Sequence, residues 1–125
     1  MTELLIVMIG GAIGAGLRHL TNVGAMRVAG PNFPFGTLTV NLVGCFLMGV
    51  LIAVLARRSG DTQSVRLFLA TGVLGGFTTF SAFSLDFATL WERGTMNTAL
   101  LYAVVSVLGS LAAVFVGLWF VRSVG

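Results

Sequence analysis

The sequence predicts an all-α membrane protein, a single domain over residues 1–125 with four transmembrane helices, the third broken at Gly75–Thr79. Three observations carry that reading. The chain is 57% hydrophobic, 9% charged and has a mean hydropathy of +1.03, more apolar residue than a soluble core of 125 residues can use. Its charged residues, Glu3, Arg18, Arg27, Arg57, Arg58, Asp61, Arg66, Asp86, Glu92, Arg93 and Arg122, fall at the edges of long apolar stretches rather than on a repeating helical face. Those stretches are of the length, about 20 residues, that crosses a hydrocarbon core of about 30 Å.

The first stretch runs from Leu4 to Leu20. It lacks the basic n-region of a signal peptide and is too long and glycine-rich for one, so it reads as a helix. Gly24 to Pro34, with both prolines of the chain, reads as an extended connector. The second span runs from Phe35 to about Ala56 and ends at Arg57-Arg58-Ser59-Gly60-Asp61. The third, Val65 to Trp91, is too long for one straight crossing and contains Gly75-Gly76-Phe77-Thr78-Thr79, which joins helix-breaking glycines to β-branched threonines. Two half-helices are expected there. Irregular backbone at membrane depth survives only where protein or an aqueous cavity satisfies its polar groups, so the break is the leading candidate site. The fourth span runs from Thr98 to Val121.

Four spans place both termini on one side of the membrane. Arg57, Arg58, Arg66 and Arg122 then lie on the terminal side, and Arg18, Arg27 and Arg93 on the other. Four cations against three is almost no orientation signal. Such a chain can insert both ways, and two oppositely inserted copies can form an antiparallel twofold dimer. Gly10 and Gly14 on the first span, and Gly109, Ala113 and Gly117 on the fourth, form small-residue stripes that let backbones approach. Each stripe serves either packing within the chain or an interface between copies.

Several function classes are excluded or left without support. The formal charge is +3, but there is no lysine and no basic run longer than Arg57-Arg58, so nucleic acid is not a partner. Cys45 is the single cysteine, which rules out an intramolecular disulfide. Gly10 to Gly16 lies inside an apolar helix, with no preceding strand and no acidic ribose partner. Gly72 to Thr79 has no phosphate-loop lysine, and His19 has no companion at metal-ligand spacing. No nucleophile–base pair marks an enzyme.

Polar residues inside the spans need a partner or a cavity. Asn41 offers two amide donors without charge, for a pore or for an interhelical bond. In Phe77-Thr78-Thr79-Phe80-Ser81-Ala82-Phe83-Ser84 hydroxyls alternate with aromatics, and Phe80 and Phe83 are helical neighbours at i, i+3. Ring edges carry partial positive charge, so two of them with hydroxyl and amide donors can stabilise a small anion without a fixed countercharge. The alternative is aromatic packing between helices. Tyr102, Ser106 and Ser110 share one face of the fourth span, extending an anion path or binding helix to helix. Arg18, near the end of the first apolar stretch, either attracts anions at a pore mouth or anchors the helix at the interface.

Three segments resemble the signature stretches of the Fluc (CrcB-type) family of fluoride channels. They are Gly10-Gly11-Ala12-Ile13-Gly14-Ala15-Gly16-Leu17-Arg18-His19, Gly36-Thr37-Leu38-Thr39-Val40-Asn41-Leu42-Val43-Gly44, and Gly72 to Phe83 with its Gly75-Gly76-Phe77-Thr78-Thr79-Phe80-Ser81-Ala82-Phe83 core. They occur in order at the family's spacing, and the resemblance covers essentially the whole chain. It implies an antiparallel, dual-topology homodimer in the bacterial inner membrane, in contact with membrane lipid, whose two pores export fluoride passively and confer fluoride resistance. By the same resemblance Phe80 and Phe83 line the pore, Asn41 is the pore asparagine, and Thr37, Ser81, Tyr102 and Ser110 supply polar contacts along the path. The backbone carbonyls of Gly75 and Thr78 match positions that hold a structural sodium ion. His19 and Ala82 depart from the commoner tyrosine and threonine. Two rivals stand beside this reading. A small multidrug-type proton-coupled exporter would need an intramembrane carboxylate, for which Asp86 is the one candidate. A non-conducting assembly subunit would use the glycine stripes alone.

Overall fold

A computed structural model describes the whole chain, Met1–Gly125. It is helical throughout, with α1 (Thr2–Ala29), α2 (Phe35–Ala56), α3 (Gln63–Arg66), a π-helical stretch (Leu67–Leu74), α4 (Gly75–Phe77), α5 (Ser81–Glu92) and α6 (Met96–Val124) in order. Four units are long and apolar enough to cross a membrane: α1, α2, the composite third span Gln63–Glu92, and α6.

The first helix runs nine residues past Leu20, so the expected connector from Gly24 shrinks to the few residues after Ala29. The segment Ala25-Met26-Arg27-Val28-Ala29 holds no breaker, and a lone Gly24 costs a helix only about 1 kcal/mol. The stop is Gly30, whose φ of 79° lies where other residues are strained. The second span matches its expected bounds. The fourth is longer at both ends than the apolar run alone suggests.

The third span is two half-helices, as expected, but the break falls later than its glycines. Gly75, Gly76 and Phe77 stay helical, and the chain turns extended at Thr78, with φ −85° and ψ 158°. The π-helical turns before the break carry no signal in a 3.6-residue periodicity. They are a known device for bending helices near functional sites.

The most extensive contacts are α2 with α6 and α1 with the π-helical stretch. Both are made at the glycine stripes, which therefore pack within the chain. A Cβ on Gly10 would fall 2.6 Å from Phe68 O and 3.0 Å from Gly72 Cα. One on Gly117 would fall 2.9 Å from Val50 N, and one on Gly49 3.0 Å from Leu118 N. At the terminal end Arg57 donates to Val121 O, closing the end of α6, and Gln63 Nε2 donates to Glu3 Oε2 at 3.0 Å. These contacts put both termini and the 57–62 turn on one side, as four spans require. Only 18 of 125 residues are buried, so most of the helical surface is left for lipid or a partner.

Candidate functional site: the broken third helix and its cavity

The break frees backbone groups, and side chains of the surrounding spans claim three of them. In a continuous helix Thr79 N–H would donate to Gly75 O, four residues back. Here it donates to Asn41 Oδ1 at 2.8 Å, while Asn41 Nδ2 donates to Thr79 O at 2.9 Å. The Asn41 amide thus pairs with Thr79 as a second peptide would, and this pairing decides which end of the amide is nitrogen. One Nδ2 hydrogen remains uncommitted. Gly76 O, which would have accepted from Phe80 N–H, accepts instead from Arg18 Nε at 3.1 Å. Thr79 Oγ1 accepts from Ala82 N–H at 3.2 Å and so caps the first turn of α5. Thr78 Oγ1 and N–H both donate to Leu74 O, each at 3.0 Å, and the Thr78 methyl sits in the hollow left by Gly44. The carbonyls of Gly75 and Thr78 accept no hydrogen bond.

Beside the break lies a cavity of about 450 Å³, lined by Asn41, Cys45, Gly75, Thr78, Thr79, Phe80, Phe83, Ser106, Val107, Ser110 and Leu111. No charged side chain is among them. Phe80 and Phe83 stand 5.5 Å apart at their centroids and 49° to one another, and Phe83 lies 5.3 Å from Tyr102. Ser106 is 95% buried, yet its Oγ has no hydrogen-bond partner. An unpaired buried hydroxyl costs about 1–3 kcal/mol, so one facing this cavity is a ready donor for whatever passes.

Six of the ten residues singled out from the sequence meet in this cavity: Asn41, Gly75, Thr78, Phe80, Phe83 and Ser110. Thr37 lines a second cavity of about 290 Å³ with Asn22, Asn32, Asp86 and Arg93. Tyr102 lines neither cavity; it is fully buried and donates its hydroxyl to Asp86 Oδ2 at 3.1 Å. Ser81 lies on the exposed side of α5, its hydroxyl 3.3 Å from that of Thr79. Arg18 lies inside α1, which continues to Ala29; it reaches the break through its bond to Gly76 O and lines neither cavity.

Sequence reading gave Cys45 no role at the site. It placed Ser106 on one helix face with Tyr102 and Ser110, and Thr79 in the break. It could not name the partner of Thr79, because the chain does not say which backbone Asn41 will meet.

The chain matches the model of the family described as CrcB-like protein, Camphor Resistance (CrcB), over residues 5–118. It belongs to the CrcB family. A CrcB relative from Mesorhizobium japonicum is 63% identical over 123 residues, 98% of each chain. One from Chelativorans sp. is 57% identical over 124 residues, 99% of each, and one from Agrobacterium fabrum 54% over 118 residues, 94% of each. All three bear the name Fluoride-specific ion channel FluC. The four apolar helices accordingly belong to a multi-pass membrane protein of the CrcB family.

Proposed function

We propose that this CrcB chain is a fluoride-selective channel of the bacterial inner membrane, releasing fluoride passively and so conferring resistance to it. The observation that carries the proposal is the uncharged, donor-lined cavity at the helix break in a chain whose relatives are named for fluoride conduction. Fluoride is small and holds its hydration water tightly. To shed that water it needs several close donors, and to leave again it must meet no fixed cation. The spare Asn41 N–H, the Ser106 and Ser110 hydroxyls and the edges of Phe80 and Phe83 meet both conditions. Proton-coupled export is not favoured. Asp86, the one carboxylate away from a span end, is engaged by Tyr102, and no catalytic residue is assigned.

The working unit in this proposal is an antiparallel homodimer with two pores. Gly75, Phe80, Ser81 and Ser84 are exposed around the break, Phe80 by 75%. Irregular backbone and hydroxyls at that depth need protein or water against them rather than lipid. A second, inverted copy brings the same surface to the same depth, and the nearly balanced arginines permit both insertions.

The two free carbonyls fit the sodium ion expected there. Gly75 O and Thr78 O are hard, neutral oxygens without a donor, the ligand type such a cation takes. When bound, the cation would neutralise carbonyl dipoles freed by unwinding. Thr78 Oγ1, committed to Leu74 O, is not part of that set.

The functional reading is tested in bacteria stripped of their own fluoride export. Expression of this chain restores growth in millimolar fluoride. Continued sensitivity with the protein present in the membrane would refute it.

A further inference from the structure

We infer that Asn41 is a positioning residue for the cation site, keeping the Gly75 carbonyl free by taking the donor that would otherwise close the helix over it. The inference rests on the sodium reading above and adds to it a residue on another helix.

The argument is a hydrogen-bond count at one position. Gly75 O has one natural donor, Thr79 N–H, and that donor is held by Asn41 Oδ1 at 2.8 Å. The hold is two-point, since Asn41 Nδ2 also engages Thr79 O at 2.9 Å, and it keeps Thr79 turned away from the helix. Next along the chain, Arg18 occupies Gly76 O. Of these two neighbouring carbonyls, Gly76 O is capped by a side chain and Gly75 O is left bare. Without Asn41, Thr79 N–H would be an unpaired donor at membrane depth, which is costly enough to drive it to the nearest acceptor. That acceptor is Gly75 O, one helical turn back. Asn41 thereby links the anion cavity, which it lines, to the ion-holding carbonyls of the same break.

Replacing Thr79 with proline removes the competing donor, together with the Oγ1 cap on Ala82 N–H. Proline has no N–H to give to Gly75 O, and Thr78 already has the extended backbone, φ −85° and ψ 158°, that the residue before proline prefers.

The test is the sodium dependence of the melting temperature of the purified protein, titrated against N-methyl-D-glucamine, for wild type, Asn41→Ala, Thr79→Pro and Asn41→Ala/Thr79→Pro. Asn41→Ala raises the sodium concentration of half-effect about tenfold or more, from the closed carbonyl. The double variant returns it to within about threefold of wild type, and Thr79→Pro alone stays near wild type. An unchanged sodium response in Asn41→Ala overturns the inference, as does a loss that Thr79→Pro fails to rescue. If Asn41→Ala does not fold, loss of the sodium response in folded Thr79→Pro overturns it. A wild type that melts identically with and without sodium overturns the cation reading with it, while fluoride efflux in that protein leaves the channel reading standing.

Discussion

Replacing Gly14 with alanine probes the contact that supports the break. The new Cβ would lie 2.8 Å from Phe77 N and 2.9 Å from Val73 C, and closer still to Val73 O. Ordinary contacts are about 3.5–4.0 Å, so α1 and the third span must part by roughly 1 Å. These neighbours are backbone atoms and cannot rotate aside. Overpacking of this kind costs about 1–3 kcal/mol, against a gain of about 1 kcal/mol from replacing a helical glycine. The shift has a second effect one turn further along α1. It lengthens the 3.1 Å bond from Arg18 to Gly76 O beyond hydrogen-bonding range, forfeiting about 1.5–3 kcal/mol for a charged donor. The net loss is about 1.5–5 kcal/mol, roughly a tenfold to several-thousandfold shift toward the unfolded chain. The assay is unfolding in mixed micelles of increasing SDS content, followed by circular dichroism. Gly16→Ala is the control, because nothing lies within 4 Å of its added methyl. Gly14→Ala that unfolds together with Gly16→Ala would refute the close-packing argument.

Two further outcomes follow from the site. Ser106→Ala removes a buried hydroxyl that has no partner, so the same unfolding assay finds it neutral or up to about 1 kcal/mol more stable. Fluoride efflux nevertheless falls several-fold, and a loss of stability would mean that the hydroxyl is bonded. Arg18→Gln keeps a donor for Gly76 O but removes the charge. It therefore stays folded and loses about tenfold in efflux if the guanidinium field draws anions in, whereas unchanged efflux assigns Arg18 to the backbone alone.

What the sequence disclosed was governed by how local each signal is. The spans were legible because their length and apolarity are summed over 20 residues, and the broken third span because glycine and β-branched residues disfavour helix together. The break's position was not. Glycine permits unwinding without requiring it, and the turn occurs at Thr78, where Asn41 on another helix is ready to receive the peptide that follows. The partner of Arg18 was hidden for a similar reason. The apolar run ends near Leu20, but the helix continues to Ala29, and Arg18 meets Gly76 O from inside it. Asn41, Phe80 and Phe83 were found because an amide and paired aromatics inside a span are conspicuous, and the cavity does gather them. Ser81 faces outward because α5 starts only after the break, a phase that the pattern of hydroxyls does not reveal.

The most direct measurement is fluoride efflux against chloride efflux from liposomes holding the purified protein, for wild type and Phe80→Ile. Phe80 is 75% exposed and packs chiefly on Phe83, so its replacement leaves the helices intact and removes a ring edge. The account predicts fast, fluoride-selective efflux from wild type and its loss in Phe80→Ile. Wild-type protein that is folded yet releases no fluoride, or releases chloride equally fast, would contradict it.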